Sequence, residues 1–593
     1  MIEATSQIQV TESKVELVKQ SSNGLRGNII EELSNDLPNF SSEAEQLLKF
    51  HGIYNQDNRD IRADRKRAGL DVEHICMIRL AIPGGRLLPD QYLAADKLAD
   101  VFGNQTLRVT TRQGIQFHFV TKQNIKTIIR EVNEVLLSTY GGCGDVVRNV
   151  TACPSPAPEV ELLNLGGLAD QISKCFKPAS SAYYEIWLDG ERVAMDPAAE
   201  SVGLNEPLYG ASYLPRKFKI GLTTTLDNCI DVLSCDLALV IDEHDANLIH
   251  VLVGGGLGRS HSDDTTKPLL AKPLTSVPRQ DLFDIIEAII AIQRDHGNRS
   301  DRSHARFKYL VEAWGTDRLR KEAERRTGMV LNRLDHFEFP SSCDHLGWIE
   351  QSEDYLALGI KVPSGRIADT SGGSFKTAIR ELITKFNLLV RFTAKEDIIL
   401  TQIPRTARNE ILAILKSLEV KLAEDYTGIS RSAFACPALP TCGLALTESE
   451  RFLPTFLKSF NQLLEDLNLS HLDVEIRMTG CPNGCARPYL GEIGIVGRSK
   501  RSYDIYLGAN RAGNRLGDIF ATDVATEGLV EALEPIVRLY AAHAYDTEQF
   551  GEFCHRWGID NLKTLAPQPR RRSISVAQGI RQGKSAVQAS CPA

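Results

Sequence analysis

Apolar residues recur in this chain with two periods, and the same succession of periods occurs twice. Ala94, Leu98, Val101 and Phe102 share one face of a predicted helix, which Gly103 ends. Ile115, Phe117 and Phe119 then alternate with Gln116 and His118, the period-two signature of a strand. Ile125, Ile128, Ile129, Val132 and Leu136 mark a second amphipathic helix. Further along, Phe375, Ile379, Leu382, Ile383 and Phe386 predict a helix, Ile398-Ile399-Leu400 a strand, and Ile411, Leu415 and Leu418 another helix.

Residue identities support a duplication. Arg108-Val109-Thr110-Thr111-Arg112 aligns with Arg391-Phe392-Thr393-Ala394-Lys395, and Arg148-Asn149-Val150-Thr151-Ala152-Cys153-Pro154 with Arg431-Ser432-Ala433-Phe434-Ala435-Cys436-Pro437, both at an offset of 283 residues. Ile82-Pro83-Gly84-Gly85-Arg86 resembles Val362-Pro363-Ser364-Gly365-Arg366 at an offset of 280, which implies one small indel. The fold class is therefore α+β, with two ferredoxin-like α/β sandwich halves related by a pseudo-twofold axis. Each half precedes a larger mixed α/β domain. The expected units are an N-terminal extension over 1–65, half domains over 66–140 and 345–422, larger domains over 145–330 and 428–562, and a disordered polar tail over 567–593.

Composition narrows the class. A chain of 593 residues needs several cores, and 42% hydrophobic with 24% charged residues is ordinary for a globular protein. No apolar run is long enough to span a bilayer, and the N-terminal residues do not form a signal peptide. The expectation is a cytoplasmic protein whose 13 cysteines are reduced, with no membrane partner. A net charge of −8 argues against nucleic acid, despite the local basic run Arg299 to Lys308 and the arginines of the tail.

Four cysteines carry the chemistry. Cys436 and Cys442 form one pair and Cys481 and Cys485 another, both in loops rich in proline and glycine. Such a set holds either zinc or an iron–sulfur cluster. Structural zinc knuckles use tighter spacings in small modules that need the metal to fold, so a cluster is the better reading. The first copy keeps Cys153 at the place of Cys436 but has no partners at matching spacing, so one metal centre is expected.

These motifs, with Thr479-Gly480-Cys481-Pro482-Asn483-Gly484-Cys485-Ala486-Arg487-Pro488 foremost, resemble those of the sulfite and nitrite reductases that join siroheme to a [4Fe–4S] cluster. The likeness spans nearly the whole chain and is greatest to assimilatory sulfite reductase hemoproteins of the ferredoxin-dependent type. It implies that Cys436, Cys442, Cys481 and Cys485 ligate the cluster and that Cys485 is also axial to the siroheme iron. It further implies that Arg79, Arg148, Lys217 and Lys219 form the catalytic face toward sulfite. Arg108, Arg112, Arg216 and Lys308 would hold siroheme carboxylates, and Asn483 would position a hydrogen bond beside the metal centre. Period two in Lys217-Phe218-Lys219 puts both ammonium groups on one side of a strand, and Arg108 and Arg112 would share a face of another. His118 reads as a structural strand histidine.

The implied activity is six-electron reduction of sulfite to sulfide. Electrons would come from reduced ferredoxin, or alternatively from a flavoprotein reductase using NADPH. Nitrite reduction is the nearest competitor, and Lys219, typically asparagine in the related nitrite enzymes, favours sulfite. Arg320, Lys321, Arg325 and Arg326 are candidates for docking an acidic ferredoxin. The run Val253-Gly254-Gly255-Gly256-Leu257-Gly258 lacks the strand–GxGxxG–helix setting of a nucleotide loop and is expected beside the haem.

Overall fold

The protein is described by a computed structural model over residues 12–179, 186–188, 191–193, 206–261 and 263–565. The tail expected over 567–593 lies outside these residues. Four five-stranded sheets organise the described chain, two of each kind.

The two ferredoxin-like sheets exchange a strand. One runs, in spatial order, Ile53–Asp57, His74–Arg79, Ile115–Val120, Leu107–Val109 and Arg366–Ile367. The other runs Gly347–Glu350, Tyr355–Ile360, Ile398–Pro404, Leu389–Phe392 and Arg86–Leu87. Each closes with a short strand from the opposite copy: Arg366 pairs with Arg108, and Arg86 with Arg391. This reciprocity joins the halves into one core, in which Ile78, Phe117, Leu358 and Leu400 belong to the same apolar cluster. The first of these sheets begins at Ile53, inside the segment expected to be an extension.

Helical faces follow the apolar period with local exceptions. The helix Pro89–Phe102 starts on a proline, whose fixed φ suits the first turn, and buries Tyr92, Ala95, Leu98 and Ala99. Val101, expected on that face, is 59% exposed. The helix Ile125–Glu134 buries Ile125, Ile128 and Val132. Leu136 lies beyond its end, at φ +59° and 89% exposed, because the chain has already turned toward the next segment. Phe119 departs from the alternation inside its own strand, where a φ of +60° breaks the pleat. In the second copy, Phe375–Phe386 buries Ile379, Leu382 and Ile383 as the period requires.

The two larger sheets share one topology. In the first, Thr151–Ala152, Ile220–Thr224 and Leu237–Ile241 are parallel, then Leu248–Val253 and Lys272–Pro278 continue antiparallel. In the second, Phe434–Ala435, Ile476–Thr479 and Ile493–Ser499 are parallel, and Ser502–Leu507 and Asp518–Ala525 antiparallel. Parallel strands with all-buried residues (Leu237 to Ile241, Ile476 to Thr479) need cover on both faces. Helices Leu282–His296 and Leu529–His543 contribute that cover in the two copies, and their apolar residues belong to the respective cores. No helix among the described residues is long and apolar enough to cross a membrane.

Candidate metal centre and anion site

All four cysteines follow parallel strands of the second larger sheet. Cys436 comes directly after Phe434–Ala435, and its amide donates to the Met478 carbonyl (3.2 Å). Cys481 and Cys485 lie on the loop after Ile476–Thr479. Gly480 donates its N–H to Cys436 Sγ (3.4 Å), which binds the two loops together. A Cβ on Gly480 would stand 2.7 Å from both Ala438 Cβ and the Thr447 carbonyl, so no other residue fits between the loops. Asn483 Nδ2 donates to Cys481 Sγ (3.5 Å).

The donor set fits a cluster better than a single ion. A zinc ion with Zn–S bonds of about 2.3 Å requires sulfurs about 3.8 Å apart. Among the described residues, the four thiols do not form such a group, because the ligand atoms that lie within 4.8 Å of one another belong to residues elsewhere. The thiols are nevertheless near enough to oppose one another's ionisation. Burial and then Cys485 push Cys481 up to about 12, and burial, Cys485 and Cys481 drive Cys436 well above the ordinary thiol value. Four thiolates are stable here only around a cationic core.

A crowd of cations collects in the first copy. Lys217 and Lys219 precede the strand Ile220–Thr224, and Arg148 precedes Thr151–Ala152. The lysines are not in a strand proper. Phe218 between them makes a single bridge to Val147 and is fully buried, which leaves both lysines on the opposite side. Burial, then Arg148, Arg216, Arg306 and Lys219, hold Lys217 well below the usual lysine value. Burial, then Arg112 and Arg306, lower Lys219 to about 7. Among the described residues no carboxylate pairs with Arg79, Arg112, Arg148, Lys217 or Lys219, because Asp145 is taken by Arg302, Lys19 and Arg216, and Asp236 by Arg306. Buried cations that outnumber their carboxylates call for an anion.

The copies meet at this point. Thr111 Oγ1 donates to the Cys485 carbonyl (3.0 Å), and Arg487 Nη1 donates to the Thr111 carbonyl (3.1 Å). The glycine run hooks onto the cysteine loop: the Arg259 amide donates to the Pro482 carbonyl (3.0 Å), and a Cβ on Gly258 would lie 3.2 Å from the Asn483 carbonyl. Among the described residues no helix follows the run directly, so it lacks the setting of a nucleotide loop.

Other expected residues are placed differently. Arg79 donates to Cys143 Sγ (2.9 Å) and, with the Gln116 amide oxygen turned toward it, from Nε to Gln116 (2.9 Å). Arg112 sits in the turn after the strand that carries Arg108, so the two do not share a strand face. Arg112 donates to the carbonyls of Asn149 and Ile220, while its buried Nε has no partner. Arg108 is enclosed by Glu396, Glu450 and the carbonyls of Val109 and Ala435, so most of its donors are already directed at protein groups. Lys308 spends its three protons on the carbonyls of Gly256, Gly258 and Lys267. Arg320, Arg325 and Arg326, three of the four cations expected for docking, pair with Glu324, Glu322 and Asp295. His118 is buried against Gln116, as a structural histidine should be.

Sequence reasoning missed three supports. Arg59 donates to the carbonyls of Cys442 (2.9 Å) and Ala445 (2.6 Å), bracing the first cysteine loop from the N-terminal segment. Arg477 and Arg487 both reach Asp231 (2.5 Å), a buried ion set that ties the two larger sheets together. In the helix Lys14–Gln20, Lys19 binds Glu16 (2.6 Å) and the Leu214 carbonyl (2.7 Å), which fixes the segment leading to Arg216 and Lys217. None of the three has a local sequence signal, because the anchoring partner of each is distant in the chain or is a backbone carbonyl.

Known proteins share this arrangement. The profile described as "Nitrite and sulphite reductase 4Fe-4S domain" matches residues 143–331 and 429–571, and "Nitrite/Sulfite reductase ferredoxin-like half domain" matches 67–135 and 349–418. The chain is 40% identical over 550 residues to the sulfite reductase [NADPH] hemoprotein beta-component of Anoxybacillus flavithermus, covering 92% of this chain and 96% of that one. It is also 40% identical over 575 residues to the sulfite reductase [ferredoxin] of Synechococcus elongatus, covering 93% and 91%. The solved structure of the NirA protein of Mycobacterium tuberculosis shares the fold, with a TM-score of 0.74 at 21% identity over 93% of this chain and 98% of that one. With two cysteine pairs set for a cluster and a cationic face beside them, the chain belongs to the nitrite and sulphite reductase family, oxidoreductases that carry a [4Fe–4S] cluster and siroheme.

Proposed function

We propose that this protein reduces sulfite to sulfide by six electrons, with reduced ferredoxin as the donor. The observation that carries the reading is the set of cations without carboxylate partners, Arg79, Arg112, Arg148, Lys217 and Lys219, beside the cysteine loops. Cys436, Cys442, Cys481 and Cys485 would hold the cluster, with Cys485 also contributing to the siroheme site. Siroheme, when bound, supplies the iron at which the oxyanion is reduced, and the cluster supplies the electrons.

The chain's own residues divide the remaining work. Arg79 and Arg148 orient the oxyanion through planar forks. Lys217 and Lys219 hold protons at Nζ for the oxygens that leave as water. A lysine lowered to about 7 by burial and by Arg112 and Arg306 gives up its proton readily at neutral pH. Arg112 and Arg216 suit cofactor carboxylates, whereas Arg108 and Lys308 act by holding the surrounding backbone. Lys219 favours sulfite over nitrite, because the second ammonium matches the more highly charged anion.

Electrons come from a separate protein. The Synechococcus relative supports ferredoxin, while the NADPH hemoprotein relatives support a flavoprotein donor. Sulfide release from sulfite should be followed with reduced ferredoxin and, separately, with a flavoprotein reductase and NADPH. Turnover with ferredoxin alone bears the proposal out, and turnover only with the flavoprotein overturns the choice of donor. Absence of sulfide even with reduced methyl viologen overturns the activity.

A further inference from the structure

We infer that Cys153, Asp227, Cys229 and His345 form a second metal site, which holds one zinc ion and clamps the linker between the two copies. The inference stands apart from the proposed activity, since none of these residues faces the cations described above.

The duplication explains where the site lies. Cys153 follows the strand Thr151–Ala152 as Cys436 follows Phe434–Ala435, at the repeat offset of 283 residues. Asp227 and Cys229 lie on the loop after Ile220–Thr224, the parallel neighbour of Thr151–Ala152. Cys481 and Cys485 occupy the corresponding loop of the second copy, after the parallel neighbour of Phe434–Ala435. The same two strand ends thus present cysteines in both copies. In the first copy, though, the second loop is differently spaced and the fourth group, His345, comes from the linker.

Geometry separates the two sites. One ligand atom from each of Cys153, Asp227, Cys229 and His345 lies within 4.8 Å of all the others. His345 Nε2 is 3.2 Å from Asp227 Oδ2, and Cys153 Sγ is 3.9 Å from each of them. Tetrahedral zinc with thiolate, imidazole and carboxylate ligands has ligand–ligand edges of about 3.3–3.8 Å, so a small contraction closes the set. The cluster thiols lack this proximity, so the first copy offers a pocket for one ion where the second holds a polynuclear core.

Ligand type selects the metal. Two sulfurs, one imidazole and one carboxylate suit zinc and are poor for calcium or magnesium. Four protein ligands leave no open position, which makes the site structural. It is well enclosed: Cys153 and Cys229 are 5% and 3% exposed, and the side chains of His345 and Asp227 8% and 13%. The Cys343 amide donates to Asp227 Oδ1 (2.9 Å), which leaves Oδ2 turned toward the imidazole.

The linker is already stitched to this loop. The Asn228 amide donates to the Ser341 carbonyl (3.0 Å) and Ser341 Oγ to the Leu226 carbonyl (2.7 Å). Asp344, directly before His345, pairs with Arg431 of the second copy (2.6 Å). An ion bound by His345 therefore connects the first larger sheet to the start of the second. Zinc binding requires both sulfurs as thiolates and the imidazole neutral.

The test uses the intact holoprotein, purified with zinc in the medium and then dialysed against a chelator. Elemental analysis should find about one zinc per chain, separate from the iron, and zinc-edge X-ray absorption should show two sulfurs at about 2.3 Å with two lighter ligands at about 2.0 Å. Cys229→Ser and His345→Ala should each lose the zinc while keeping the iron content and visible spectrum of the parent, and should be cut faster by protease within 335–350. Four results overturn the site: no retained zinc, zinc ligated by oxygen and nitrogen only, a Cys153–Cys229 disulfide in the isolated protein, or zinc retained by Cys229→Ser. If both variants fail to fold, the absorption spectrum of the unaltered protein decides by itself.

Discussion

Replacing Lys219 by methionine should stabilise the protein made without siroheme and cripple the complete enzyme. Methionine keeps much of the apolar stem and removes the charge. Burial, Arg112 and Arg306 lower this lysine from 10.5 to about 7. At about 1.4 kcal/mol per unit, this is a charge penalty of at most about 5 kcal/mol, and solvent at a half-buried side chain trims it toward about half. The unfolded chain holds this proton up to pH 10.5, whereas the folded chain releases it from about pH 7. Wild-type stability therefore rises through that window, and the variant's does not. The advantage of Lys219→Met is full below pH 7 and shrinks to about a third by pH 9.5. Urea denaturation of protein from a siroheme-deficient host, at pH 6.5 and 9.5, measures it. In the holoprotein the same change should cut sulfite turnover about a hundredfold or more, the loss expected when a proton donor is removed. A variant less stable than wild type without siroheme, or an advantage equal at both pH values, would refute the claim that the cations crowd one another and await an anion.

Other residues yield independent predictions. Gly255→Ala puts a Cβ at 2.2 Å from the Leu233 carbonyl and 2.3 Å from that of Cys235; it should cost about 1–3 kcal/mol by thermal melting and lower haem retention. Burial raises Asp145, but Arg302, Lys19 and Arg216 outweigh it and bring the carboxyl down to about 2. Asp145→Asn should therefore lose about 2 kcal/mol at pH 7, with the gap to wild type closing as pH falls from 3.8 through about 2, measured by urea midpoints across that range. The same variant should free the helix Lys14–Gln20, seen as faster proteolysis before residue 50, because Lys19 loses one of its two carboxylates.

Much of this molecule was legible because its signals are local or repeated. The cysteine pairs with their glycines and prolines, the offset of 283 residues and the alternating Ile115 to Val120 strand each declare themselves within a few residues. The period failed at Leu136, which lies beyond its helix, at Phe119, whose positive φ breaks the pleat inside its strand, and at Val101, which is exposed in the last turn of its helix. Side-chain roles were less legible. Arg108 belongs to a basic motif, yet Glu396 and Glu450, hundreds of residues away, enclose it. Lys308 is claimed by three carbonyls of a folded-back loop. Nothing in spacing announces such partners, since they are brought together by the fold from distant parts of the chain. The grouping of Cys153 with Cys229 and His345 was hidden for the same reason, having no regular interval.

The cysteine that lies nearest both halves of the argument is Cys485, whose backbone touches the first copy through Thr111. Iron and tetrapyrrole should be quantified in purified Cys485→Ser beside the unaltered protein. The wild-type chain should carry about five irons, about four acid-labile sulfides and one siroheme, and the variant should lose the cluster and the siroheme together. A variant that keeps siroheme with an unchanged visible spectrum, or a wild-type protein without any tetrapyrrole, would contradict a shared thiolate between cluster and haem.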